Sequence, residues 1–240
     1  MTLKDKRIVI IGGTSGMGLA TAKAAAALGA QVVIAGRTSE KLQRAEQEIG
    51  GQVRGLALDV GEEAQIKTFF AEVGQFDHLT TPGSTIHGGP FLTLDSASAK
   101  ADFQSKFWGQ YLVAKYGAPL VRPGGSMVFF AGMWSQRPQA GAAVIAAING
   151  AIESLARALA VELAPIRVNA VSPGLVDTPI FAGLEPARRQ EMFRAFSEVA
   201  PVKRVGRPEE VAEAVLYLMG NSFTTGSTLY VDGGYLLRWP

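Results

Sequence analysis

Three glycines near the start of the chain, Gly12, Gly16 and Gly18 in GGTSGMG (12–18), have the spacing of a turn that lays backbone amides against a phosphate. A side chain at such a place would hold the backbone away from the anion. Further on, AGRTS (35–39) offers Arg37 and Thr38 where a carboxylate would be expected if a ribose 2′-hydroxyl were the partner. A guanidinium binds phosphate through two parallel hydrogen bonds, so Arg37 points to a 2′-phosphate and hence to NADP(H). The plain alternative is a solvated loop arginine. Asn149 poses a different question: it lies four residues after Ile145, on an apolar helical stripe continued by Ile148, Ile152, Leu155 and Leu159. An amide there is costly unless it finds partners.

The elements that must carry these residues alternate. Strands are expected at RIVII (7–11), QVVIA (31–35), VRGLALDV (53–60), DHLTT (77–81), SMVFFA (126–131), IRVNAVS (166–172) and STLYVDGG (227–234). Helices are expected at 18–29, 39–49, 62–74, most of 95–120, 142–164 and 208–219. This pattern predicts an α/β fold, a Rossmann-type doubly wound parallel sheet of about seven strands with helices on both faces. Without repeats or low-complexity linkers, residues 1–240 read as a single domain. A strand, the glycine turn and a helix in succession favour a dinucleotide site over a plain turn.

Composition excludes several classes. The chain has 240 residues, 48% hydrophobic and 18% charged, with a net charge of +2 and no basic block, so no nucleic acid and no membrane partner are expected. With no cysteine and only His78 and His87, no metal site is expected. No signal segment and no run of membrane-spanning length are read, and a cytoplasmic protein is the default expectation.

Taken together, the motifs resemble those of the short-chain dehydrogenase/reductase family over nearly the whole length. Gly12-Gly13-Thr14-Ser15-Gly16-Met17-Gly18 resembles its cofactor turn, and Asp59-Val60 its adenine-contacting pair. TTPG (80–83) stands where the family has NNAG, which implies cofactor contacts from Thr81, Pro82 and Gly83. RVNAVSPGLVDTP (167–179) is close to a family signature, and the resemblance implies that Pro173, Gly174, Val176 and Thr178 face the nicotinamide half. YVDGG (230–234) resembles the closing strand. The segment of about 179–205 corresponds to a substrate lid, and Phe181, Met192, Phe193 and Phe196 would give it an apolar underside. The family commonly assembles through the 142–164 helix and its predecessor, which implies a homo-oligomer, tetramer or dimer.

The catalytic positions depart from the family. Its usual Asn, Ser, Tyr and Lys correspond here to Lys106, Gly132, Ile145 and Asn149. The five tyrosines, at 111, 116, 217, 230 and 235, all lie outside the 132–149 region. The family's Asn and Lys are thus interchanged. Lys106 is expected to supply the positive charge and Asn149 to bind the nicotinamide ribose, the bland alternative being a solvated Lys106 and a backbone-bonded Asn149. Ser135 and His87 are the other candidate proton donors, although a turn serine is commonly a cap and a loop histidine commonly solvated. Met133, Trp134 and Phe91 are candidates to wall an apolar pocket.

Two readings stand foremost. One is an NADPH-dependent reductase of a carbonyl, imine or similarly polarised bond in a small, fairly apolar substrate. The other is a catalytically silent NADP(H)-binding protein, a sensor or assembly partner. A lyase or isomerase without net redox is a third.

Overall fold

The computed structural model describes residues 3–83 and 86–237. Seven parallel strands form one sheet: β1 (Arg7–Ile11), β2 (Gln31–Gly36), β3 (Val53–Ala57), β4 (Phe76–Thr80), β5 (Val121–Phe130), β6 (Arg167–Pro173) and β7 (Thr228–Val231), in the order β3-β2-β1-β4-β5-β6-β7. Strand order reverses between β1 and β4, and loops leaving the carboxyl ends of these two strands diverge there into a crevice.

Helices α1 (Gly16–Ala27), α2 (Ser39–Ile49) and α8 (Pro208–Gly220) cover one face, where Ile8, Ile10, Ile34, Val128 and Val171 meet Val215 and Leu218. Helices α3 (Glu63–Val73), α5 (Gly109–Gly117) and α6 (Ala143–Glu162) cover the other, around Phe70, Phe76, Leu79, Met127, Phe129, Ile148 and Ile152. Both faces of every central strand are therefore buried, which explains why these strands read as continuous apolar runs rather than alternating ones. The remaining helices are α4 (Ser96–Phe103) and α7 (Pro186–Val199).

Several boundaries differ from the expected ones. α1 begins at Gly16, two residues earlier, so two of the three glycines belong to its first turn. β3 ends at Ala57, leaving Asp59 to bond the Gly61 amide in a turn. β5 begins at Val121 rather than 126, across Pro123 and Gly124, because Val121 pairs with Phe76 and Arg122 reaches Asp77. Between α4 and α5 lies a π-helical turn, Gln104–Trp108, in place of the expected plain helix. The expectation of no run of membrane-spanning length also needs correction. α6 has 20 residues and a mean hydropathy of 1.5, enough to cross a bilayer by length and composition alone. It packs along the sheet instead, with Asn149 and Glu153 among its buried residues.

His78 illustrates the cost of a polar group in this core. It is buried in β4, with Nδ1 2.9 Å from Ser126 Oγ. Burial pushes its pKa down from the ordinary 6.5 to about 4, with Arg167 and Lys6 acting in the same direction against Asp77. The unfolded chain therefore binds the extra proton first, and stability falls as pH drops from about 6.5 to about 4, by roughly 3 kcal/mol at most. Urea unfolding at pH 7 and pH 4.5 should show this loss in the native chain and a smaller one in His78→Asn.

Candidate active site

A cleft of about 520 Å³ opens at the carboxyl ends of β1–β4. Its floor is the glycine turn. Gly12 adopts φ +92° and lies back to back with Gly83; a Cβ on Gly12 would fall 2.4 Å from Gly83 Cα, and one on Gly18 would fall 2.1 Å from Gly12 O. The two loops can meet only as bare backbone. Ser15, which precedes α1, makes no side-chain cap, so the first amides of that helix remain available to an anion. This cradle, too close for any side chain and set at a helix N-terminus, fits a dinucleotide pyrophosphate.

The predicted cofactor residues Gly12, Thr14, Ser15, Gly16, Met17, Gly18, Arg37, Thr38, Asp59, Val60, Pro82, Gly83 and Thr178 all line this cleft, as does His87. Lys41 lines it too, and sequence reasoning missed it. It lies in the first turn of α2, just beyond Arg37, so the signal was a second cation close after the first. Four other predicted residues, Thr81, Pro173, Gly174 and Val176, are not in its lining. Thr81 is buried and donates to Gln110 Oε1 at 2.5 Å. Pro173 ends β6. Gly174 faces the Asp232 backbone, where a Cβ would come within 2.8 Å. Val176 is buried in the α1/α8 core.

Lys106 and Asn149 meet. Lys106 sits in the π turn, 7% exposed, and its Nζ donates to Asn149 Oδ1 at 2.6 Å and to Ala131 O at 2.9 Å. Burial lowers its pKa to about 8, so it remains largely charged at neutral pH. Asn149 is 1% exposed. Its Nδ2 lies 2.8 Å from where a Cβ on Gly132 would be, so the missing side chain at 132 makes room for the amide at 149. Ile145 is buried and packs against Gly88.

Ser135 is turned away from the cleft. Its Oγ lies 2.6 Å from Glu153 Oε1 and 3.1 Å from Gly132 O, and the buried Glu153 also accepts from Gln136 at 3.1 Å. His87 is held differently: Nδ1 lies 2.7 Å from Asp102 Oδ1, and the amides of His87 and Gly88 donate to the same carboxylate at 2.9 and 3.2 Å. Sequence reasoning also missed Asp102 and Gln110. With Lys106 they form a stripe at four-residue spacing, all buried, in a segment otherwise carrying Phe103, Phe107 and Tyr111. Gln110 donates to Lys106 O and Phe130 O, both at 3.0 Å, and accepts from the Phe130 amide at 2.9 Å. That polar period of four was the available signal.

Known proteins of similar sequence and shape identify the family. The family model described as Enoyl-(Acyl carrier protein) reductase matches residues 12–236. The chain belongs to the short-chain dehydrogenase/reductase family. Among similar proteins is the short-chain dehydrogenase/reductase ATR9 of Stachybotrys chlorohalonatus, 33% identical over 99% of both chains. Another is carbonyl reductase family member 4 of Danio rerio, 30% identical over 95% of this chain and 97% of that one. A small-chain dehydrogenase crystallised in complex with NADPH superposes with a TM-score of 0.84 at 36% identity, covering 98% of this chain and 100% of the other. The chain is thus an oxidoreductase by family.

The segment after β6 is ordered as a turn and a helix. A short 3-10 turn, Pro179–Phe181, leads to α7; Phe181 packs edge-on against Phe193 with centroids 5.8 Å apart, and Phe196 stacks on Tyr235 at 4.8 Å. Met133 and Trp134 join Phe196 in a small apolar cluster, whereas Phe91 is 72% exposed.

The contact between Gly132 and Asn149 can be measured. Gly132→Ala should lower unfolding stability by about 1–3 kcal/mol through overpacking, and Asn149→Ala in the same chain should recover part of that loss. Additive losses in a double-mutant cycle, read by urea unfolding, would contradict the steric coupling.

Proposed function

We propose that the chain is an NADPH-dependent reductase that transfers hydride to a carbonyl, imine or similar polarised bond of a small, fairly apolar substrate. The observation that carries this reading is the cleft's charge pattern: Arg37 and Lys41 lie beyond β2, where an acid would repel a 2′-phosphate. The NADPH complex of a similar dehydrogenase supports it. NADPH would lie over the glycine cradle and supply the hydride. Thr14, Ser15 and the α1 amides would hold the pyrophosphate, Asp59 and Val60 would flank the adenine, and Thr178 would stand by the nicotinamide half. Lys106 acts through Asn149. Its ammonium fixes the amide's orientation and keeps a positive charge behind the cleft wall, where the family's lysine charge would otherwise be. The edge-on pair Phe181 and Phe193, with Met192 beside it in sequence, favours an apolar substrate.

A second reading is retained because Ile145 replaces the phenol and Lys106 and Asn149 satisfy each other: a silent NADP(H)-binding protein, a sensor or assembly partner, would need no more. A cytoplasmic homo-oligomer, tetramer or dimer, is part of either reading. The partly exposed Trp108 and Tyr111 on the outer side of the π turn and α5, centroids 5.3 Å apart, support self-association.

Fluorescence binding of NADPH, paired with loss of NADPH absorbance on aldehydes, ketones, quinones and imines, separates the two readings; binding without consumption on every substrate selects the silent one. Arg37→Ala should weaken NADPH about tenfold or more and leave NADH unchanged, through the loss of its charge-assisted hydrogen bonds to the 2′-phosphate. An equal loss for both coenzymes would remove Arg37 from its assigned place. Lys106→Met should cut turnover far more than it changes NADPH affinity, and unchanged turnover would end the role given to Lys106.

A further inference from the structure

The reductase reading leaves one proton without a source. Ile145 has none to give, and Lys106 directs its ammonium at Ala131 O and Asn149 Oδ1 rather than into the cleft. Ser135 is occupied by Glu153. The geometry points to His87, oriented by Asp102, as the proton donor that takes over from the absent tyrosine.

Three observations carry this. His87 is part of the cleft wall, together with Thr178 and Ile180, and its side chain is 58% exposed. The next residue, Gly88, lies against Ile145: a Cβ on Gly88 would be 3.1 Å from Ile145 Cδ1, so the loop that carries His87 runs past the position where the phenol would stand. Asp102 is fully buried and accepts from the His87 ring and from two consecutive loop amides, which fixes the ring's direction as well as its place. A carboxylate only accepts, so the hydrogen in that contact is on Nδ1 and the exchangeable position is Nε2. A buried acid that orients an imidazole through one nitrogen and leaves the other to work is a recurring proton-transfer arrangement.

The step balances with NADPH as the reductant. As hydride bonds to the carbonyl carbon, the carbonyl π pair moves onto oxygen, and that oxygen takes the Nε2 proton of the imidazolium. The products are alcohol, NADP⁺ and neutral imidazole, which regains its proton from solvent. In the oxidising direction neutral Nε2 takes the hydroxyl proton instead. Asp102 touches no reacting atom and is a positioning residue.

This inference rests on the reductase reading, and its test keeps the two apart. His87 and the buried His78 are the chain's two histidines, so diethyl pyrocarbonate should place one carbethoxy group per chain, on His87, and saturating NADPH should slow it at least tenfold. Equal rates with and without NADPH would overturn the assignment. His87→Gln should keep its NADPH dissociation constant within about twofold yet lose about 100-fold or more in kcat on acetophenone. The loss should be smaller on 4-nitrobenzaldehyde, whose carbonyl depends less on acid. Asp102→Asn should follow the same substrate ordering. Retained acetophenone reduction in His87→Gln, or equal losses on both substrates, would overturn the proposal alone. A native chain that binds NADPH but reduces neither compound would remove the reductase reading and this donor with it.

Discussion

The active-site region is organised by a buried polar stripe running along one helical rod. Asp102, Lys106 and Gln110 point inward from α4, the π turn and α5, and each grips a different part of the cleft wall. Asp102 holds the loop after β4, Lys106 the end of β5 and the α6 amide, and Gln110 the end of β5 and Thr81. Such groups are expensive to bury alone, and leaving any one of them unsatisfied costs about 1–3 kcal/mol or more. A π turn lies in the middle of this rod: across it the Gly109 amide reaches back to Gln104 O, and the Gln110 side-chain amide donates to Lys106 O.

Lys106 then sets what its neighbours can be. A buried ammonium needs acceptors, and Ala131 O and Asn149 Oδ1 are the two it has. An amide at 149 that turns its oxygen to Lys106 presents its nitrogen toward residue 132, and only glycine leaves space there. The residues at 106, 132 and 149 are therefore one packing solution. Ile145 fits the same solution: buried against Gly88, it seals the wall and carries no polar atom needing a partner.

Much of this architecture is legible in the residues alone. The continuous apolar strands, the glycine turn and Arg37 each have a local signature, and the sheet and the end of the cleft lined by Arg37 follow from them. The Lys106–Asn149 exchange is visible by position, but the 2.6 Å contact is not, because it depends on a π turn that no composition rule announces. Val176, Pro173 and Gly174 are assigned by resemblance to the cofactor face. None of the three is in the cleft lining: Val176 packs in the α1/α8 core and Gly174 lies close to Asp232. Asp102 escapes notice because a lone carboxylate in a helix reads as solvated surface; its depth is evident only from the loop that folds over it.

That loop connects the two halves of the site. The chain leaves β4, passes bare backbone to bare backbone at Gly83 and Gly12, and comes under Asp102 by His87 and Gly88. The Gly89 amide then bonds Gly141 O, next to the start of α6. One strand exit therefore touches the phosphate cradle, the α4 carboxylate and the helix bearing Ile145 and Asn149. The contact of Gly12 with Gly83 permits no side chain, and the carboxylate fixes the amides of His87 and Gly88. A shift at Asp102 would move His87 relative to the cradle, which gives a residue that faces no ligand a direct hold on the geometry of the reacting edge.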